Sequence, residues 1–317
     1  MATLTLNERA SRLADQMAAN AQTLRCAIAT TSAGARIIDC GVSMEGGVQA
    51  GLAMARVLLA DLAEVSLVPG ELMGFPAAQV QVVTDFPVQA CMASQYAGWE
   101  VKVGNSFAMG SGPMRAMLGK EKLFDEIGCK EQAPVAVGAL ETSEAPERMM
   151  IAHISESLKI APPKLTLLIA PPTSQAGTVQ VTARCLETAL HKLHVLKFDL
   201  KQIVSGMATA PLPPVGKTGE QAFGRPNDAI LYGGRVILWV RADDDQLAKL
   251  GPQVPSSASK DYGAPFAEIM ARAGKDFYKI DPLLFSPAMI VFHNLKTGRT
   301  HGFGRVDQEV LLRSFFM

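Results

Sequence analysis

Arg184 and Glu187, in the run "TARCLETALHKL", have the types and spacing to move a proton. A carboxylate can take a proton from water, and a guanidinium three positions away can hold it ionised and oriented. At about 100° per residue, Gln180, Arg184, Glu187 and His191 line up along one flank of a helix. The apolar stripe of that helix is Val179, Ala183, Leu186, Leu190 and Leu193, so the carboxylate would sit at the margin of a packed face, partly desolvated. The same pattern also describes an exposed i,i+3 ion pair contributing only ~0.2–0.5 kcal/mol. Spacing leaves both readings open. The preceding run, "APPTSQAGTVQVTA", is rich in helix breakers and ends in a short β-like alternation, and it sets where the helix enters.

A second candidate is Gly110-Ser111-Gly112-Pro113-Met114-Arg115. It begins like a dinucleotide fingerprint but has Arg115 in place of the third glycine, and it lacks the Gly-Lys-Ser/Thr ending of a P-loop. With Ser111 as cap and Pro113 in a first helical turn, free N–H groups would offer a site to a phosphate, carboxylate or carbonyl oxygen. The alternative is a tight turn into a packed helix. No metal site is expected: His153, His191, His194, His293 and His301 have no Cys, Asp or Glu at ligand spacing to complete a set. A serine nucleophile is not indicated either, since G-x-S-x-G is absent.

These residues must be positioned by a chain of 317 residues, long enough for two domains. With 48% hydrophobic and 19% charged residues it has ample material for a core. Thirty basic residues balance thirty acidic ones, which argues against a nucleic-acid or membrane-surface partner. The charged N-terminal stretch has no apolar signal core, and no apolar run approaches the ~20 residues of a membrane span. Five scattered cysteines fit free thiols in a reducing cytoplasm, the expected location.

Helical spacing in "NERASRLADQMAANAQTLRCAI" puts Leu13, Met17 and Leu24 on one side, with Asn7 as the expected N-cap. "ARIIDCGV", "EVSLV", "AQVQVVTD", "PVAVGALE", "KLTLLIAPP" and "AILYGGRVILWVRA" carry strand signals. Between them lie helices in "GGVQAGLAMARVLLADL", in "PVQACMASQYAG" opened by Pro87, and around Glu147–Leu158. "PAMIVFHNLKTGRTHGFGRV" predicts a hairpin around Lys296–Gly298, followed by a last helix. The alternation predicts a mixed α+β (α/β) protein, and the late hairpin argues against a purely parallel sheet. A domain boundary is expected at "KIAPPKL", giving units 1–158 and 159–317.

The segments "IIDCGV", "SQYAGWEVKV", "FAMGSGPMRA", "VAVGALE", "APPTSQAGTVQVTARCLETA", "QIVSGMATAP", "SKDYGAPF" and "DFYKIDPLLFSPA", in this order, closely resemble the methenyltetrahydromethanopterin cyclohydrolases of methanogenic archaea and methylotrophic bacteria. The resemblance runs nearly end to end. It implies a cytoplasmic homotrimer whose subunits each have two tightly associated α/β domains with a deep cleft for the pterin. It implies hydrolysis of methenyl- to formyl-tetrahydromethanopterin in one-carbon metabolism, with neither metal nor organic cofactor. The family's Arg-x-x-Glu pair falls on Arg184 and Glu187 as catalytic residues, and its acidic cleft residue on Glu141. Tyr96, Ser111, Gly112 and Arg115 are expected at the substrate as well. Tyr96 departs from the archaeal pattern, which commonly has lysine there, and looks like the bacterial branch. A trimeric pterin-binding protein of the same fold without catalysis is the alternative, and retained Arg184 and Glu187 speak against it.

Overall fold

The computed structural model describes residues 5–72, 74–96, 98–276 and 279–316. Ala97 of "SQYAGW" and Phe277 and Tyr278 of "DFYKIDPLLFSPA" lie outside the described residues. In chain order the elements are α1 (Leu6–Ala19), β1 (Ala27–Thr30), β2 (Arg36–Asp39), α2 (Val48–Leu58), β3 (Glu64–Leu72), β4 (Phe75–Thr84), β5 (Trp99–Val103), β6 (Ser106–Ser111), α3 (Met114–Leu118), α4 (Lys122–Glu126) and β7 (Ala136–Glu141). There follow α5 (Arg148–Leu158), β8 (Leu165–Ala170), α6 (Gln175–Thr182), α7 (Cys185–Val195), β9 (Ile203–Pro211), α8 (Gly219–Gly233), β10 (Arg235–Val240), α9 (Asp244–Leu250), α10 (Phe266–Arg272), β11 (Met289–Asn294), β12 (Thr300–Gly304) and α11 (Gln308–Phe316). The protein is a mixed α+β fold with two six-stranded sheets among the described residues.

The two compact units are interleaved along the chain, which corrects the expected boundary at residue 158. One unit comprises Met1–Ala63 and Gln89–Gln180, the other Glu64–Val88 and Val181–Met317. The reason lies in strand pairing. β8 follows the Pro162–Pro163 break but inserts between β2 and β7, parallel to both, so it belongs with the earlier strands. The β3–β4 hairpin pairs instead with β9, far downstream.

In the first unit the strand order is β1-β2-β8-β7-β6-β5, parallel at the centre and antiparallel at both margins. All six residues of β8, "LTLLIA", are buried, as a strand covered on both faces requires. Successive side chains leave on opposite faces. Ile38 and Leu168 join Leu13, Met17 and Leu58 in one core, while Ile37, Leu167 and Ile169 join Ile151 and Ile154 in the other. The second unit orders its strands β12-β11-β10-β9-β4-β3, with only β10 and β11 parallel. The expected late hairpin is β11–β12.

Three local expectations need correction. Thr5, not Asn7, caps α1, through a capping box with Glu8. Asn7 is instead fully buried, its side chain donating to Pro113 O and accepting from Val137 N. "VQACMASQ" winds as a wide π-type helix rather than an α-helix. The strand read in "AILYGGRVILWVRA" starts only at Arg235, because the residues before it complete α8.

In the second unit a carboxyl of α8 is buried against α10 and α11. Asp228 on α8 is 1% exposed and accepts hydrogen bonds from Phe266 N at 2.7 Å and Ser314 Oγ at 2.6 Å. Burial pushes this carboxyl up to about 7, against the two hydrogen bonds, which favour its charged form. A raised folded-state value means stability is fullest below about pH 4, falls as pH rises toward 7, and levels off above. The Asp228→Asn variant keeps an acceptor for Phe266 and a donor for Ser314. Its melting temperature should vary less than the wild type's between about pH 4 and 7, and exceed it at pH 8. An unchanged slope in thermal melts across that range would refute this account of Asp228.

Candidate functional site

The first unit presents its candidate residues from the C-terminal ends of parallel strands, where open α/β sheets place ligand sites. Glu141 is the last residue of β7, half-buried, and its Oε1 accepts from Gln180 Nε2 at 3.0 Å. Asp39 ends β2 and folds its own loop: its carboxylate accepts from Gly41 N (2.9 Å), Val42 N (2.7 Å), Ser43 N (2.8 Å) and Ser43 Oγ (2.5 Å). Burial raises this carboxyl's value, but the hydrogen bonds from Ser43, Gly41 and Val42 win and hold it below the usual range.

After β8 the chain turns at Pro171-Pro172-Thr173-Ser174. Ser174 Oγ donates to Pro171 O at 2.7 Å and accepts from Gly177 N at 3.0 Å, capping α6. Gly177 has no room for a side chain, since a Cβ there would lie 2.1 Å from Pro171 O. The β-like alternation "TVQVT" is therefore helical, a correction with a tertiary cause. Ala176, Val179 and Gln180 are all fully buried, and α6 packs so tightly that a Cβ on Gly51 of α2 would meet Val179 at 2.6 Å. Burial all round removes the amphipathic signature by which a helix is read.

Nor is the helix continuous through Glu187. α6 ends at Thr182, Ala183 intervenes, and Arg184 is the N-cap residue of α7 with φ −84° and ψ 3°. Its carbonyl accepts from Thr188 N at 2.9 Å. Glu187 thus lies in the first turn of α7, where the helix dipole favours a carboxylate. Both residues belong to the second unit, and both are buried, Arg184 at 5% and Glu187 at 7% exposure. The reading as an exposed surface pair is excluded by these values. The expected stripe Val179, Ala183, Leu186, Leu190 and Leu193 is fully buried. Lys192, on a nominally polar position, is buried as well; it donates from Nζ to Leu283 O, and burial lowers it to about 8, with Asp281 opposing. Burial, and then the neighbouring His194, lower His191 below the ordinary imidazole value. α7 packs on β9 and β10, and Leu186 lies so close to Gly206 that a Cβ there would come within 3.0 Å of it.

The "GSGPMR" turn is tightly packed. Residues 111 to 116 are buried, and Ser111 is 1% exposed. Gly112, at φ +95°, would place a Cβ 2.8 Å from Leu58 Cδ2 and 3.2 Å from Gly138 Cα. α3 behind it is only five residues long. Arg115 is fully buried: its guanidinium is paired with Glu121, lies 5.1 Å over the Tyr96 ring, and donates to Tyr96 O at 3.5 Å. Its charge is met inside the fold by Glu121, and it braces the Tyr96 ring. Tyr96 is half-buried, wedged between Arg115 and the edge of Phe124.

Asp39 and Ser174 were not singled out by sequence reasoning. Their signals are present: an acidic residue ahead of "CGVS" is an Asx-turn pattern, and "PTSQAG" places a capping serine three residues before Gly177. Among the described residues no group of three or more His, Cys, Asp or Glu could hold a metal ion, and no helix is long and apolar enough to cross a membrane.

Buried, oppositely charged side chains at the start of α7 are of the types that enzymes use for general acid–base chemistry on small molecules. A family model described as cyclohydrolase (MCH) matches residues 5–315, and the chain belongs to that family. It is 46% identical over 290 residues to the methenyltetrahydromethanopterin cyclohydrolase of Rhodopirellula baltica, covering 90% of this chain and 87% of that one. The proteins of the same name from Methylobacillus flagellatus and Methanosphaerula palustris are 40% and 41% identical, over 98% of this chain and 95% and 99% of theirs.

The packing around Gly112 makes a direct prediction. Gly112→Val forces a left-handed backbone on a β-branched residue and drives methyls into Leu58, costing at least ~1–3 kcal/mol. The urea midpoint should fall accordingly, while the folded fraction keeps normal substrate affinity. A normal midpoint with weakened affinity would return the turn to the ligand.

Proposed function

We propose that the protein catalyses the reversible hydrolysis of methenyl-tetrahydromethanopterin to formyl-tetrahydromethanopterin. The observation that carries this reading is the burial of Arg184 and Glu187 at the start of α7, in a chain that belongs to the cyclohydrolase family along nearly its whole length. The methenyl carbon bridges two nitrogens as a cationic amidinium and is already electrophilic. Water adds to it and loses a proton as the C–O bond forms, giving a neutral tetrahedral carbinolamine. One C–N bond then breaks as its nitrogen takes up a proton and the carbinol hydroxyl gives up its own to solvent, leaving a formyl group on the other nitrogen. Overall one water is consumed and one proton released.

Glu187 is the group that accepts the water's proton and returns it to the departing nitrogen. Arg184 keeps the carboxylate ionised and oriented. Glu141 adds a negative charge that attracts the cationic substrate. Tyr96, held by Arg115 and Phe124, supplies a fixed aromatic surface for the pterin. No nucleophilic side chain, metal or organic cofactor enters this scheme, because the substrate carbon needs no further activation. The family resemblance supports a homotrimer working in the cytoplasm, in the one-carbon metabolism of a methylotroph.

Glu187→Gln should lower kcat by ~10²–10⁴-fold with little change in melting temperature, as expected for loss of a positioned base. Bleaching of the methenyl chromophore measures it, and a drop smaller than about tenfold would remove Glu187 from that role. Arg184→Lys keeps the charge but loses the planar fork, so turnover should fall and its pH profile shift; an unchanged rate and profile would make Arg184 a packing residue.

Two bulk properties are checked on the wild type. Sedimentation equilibrium should give three times the chain mass. Exhaustive dialysis against a chelator should leave the hydrolysis rate intact, and a loss reversed only by one divalent ion would overturn the mechanism.

A further inference from the structure

The Pro171–Ser174 turn and the unexpected helix α6 raise the question of what this construction delivers. The answer lies at the far end of α6. Gln180 is fully buried, and its side-chain amide reaches the carboxylate that ends β7. α6 also buries Ala176, Val179 and the short hydroxyl side chains of Thr178 and Thr182, but a long amide at 0% exposure is costly unless it is hydrogen-bonded to some purpose. Leucine would fill the same space without the desolvation.

We propose that Gln180 is a positioning residue for the reaction: its amide donates to Glu141 Oε1 and fixes the orientation in which that carboxylate meets the cationic substrate. This rests on the function assigned above and on Glu141 as the acidic group that attracts the amidinium. The distance is 3.0 Å, and the bond joins a neutral donor to a carboxylate, the stronger class of hydrogen bond. Donor and acceptor are held from opposite ends. Glu141 is fixed by its pairing with Ala170 of β8 and Met109 of β6. Gln180 is fixed by a helix locked at its first turn through Ser174 and Gly177. Asp39, the other carboxylate at these strand ends, is occupied by its own loop, so the amide at α6 serves Glu141 alone of the two.

The test is a double-mutant cycle on the intact protein, with methenyl-tetrahydromethanopterin as probe and melting temperature, kcat and KM as readouts. Q180L should raise KM about tenfold with kcat within about twofold, the size of one charge-assisted hydrogen bond. In an E141Q background the same change should cost less than about twofold, because the carboxylate it orients is gone. Q180E supplies a readout that packing cannot: its carboxyl donates only when protonated. The ratio of its KM to that of wild type at the same pH should be largest at high pH and fall toward one as pH falls. Equal penalties with and without the Glu141 carboxylate, or a Q180E to wild-type KM ratio that does not vary with pH, would overturn the proposal. If Q180L does not fold, the Q180E profile decides alone. Failure of wild type to bleach the chromophore would instead sink the assigned function, and this proposal with it.

Discussion

The hydroxyl of Ser174 holds the turn on which the placement of Gln180 depends. It bonds to the carbonyl of Pro171 behind it and to the amide of Gly177 ahead, closing the exit from β8 into a cap. The direction of α6 follows from that closure, and with it the position of Gln180 beside Glu141. Two residues after α6 ends, Arg184 opens α7, and Glu187 falls in its first turn. The sequence run that first reads as a string of breakers is therefore a rigid connector. Its prolines block continuation of the strand, and Gly177 lets the helix start lie directly against Pro171 O.

Burial of ionisable groups is the second theme, and the fold treats each differently. Arg115 is neutralised locally by Glu121 and used to brace Tyr96. Asp39 is saturated by the amides of its own loop. Lys192 and Asp228 are left to shift, down to about 8 and up to about 7, because burial outweighs their partners. Arg184 and Glu187 are withdrawn from solvent at a helix N-terminus, an environment that favours the carboxylate while the low dielectric strengthens its electrostatic effect on a cation. Taking charge out of water is expensive, and proteins commonly keep such groups where chemistry needs them.

Much of the architecture was legible locally. The core strands β2, β7 and β8 announce themselves as short β-branched or apolar runs, α5 by its amphipathic spacing, and the β11–β12 hairpin by its turn residues. The apolar stripe from Val179 to Leu193 was read correctly even though two helices share it, since burial depends on direction and survives a break of two residues. Helical "TVQVT" was not legible. Its β-branched residues favour a strand, and only packing against Gly51 and capping by Ser174 reverse that preference.

The sequence by itself determined the residue types that can do chemistry, their order, the α+β class and the family, because these are properties of local pattern and of a shared string of motifs. Tertiary structure decided how those residues are surrounded. It buried Arg184 and Glu187, closed the Gly110–Arg115 turn into a packed corner, and turned Arg115 toward Glu121. It also interleaved the two units, since β8 pairs with β2 and β7 across more than a hundred and twenty residues of chain in one case and some thirty in the other. Such pairings are set by which surfaces meet, and a linear pattern contains no term for that.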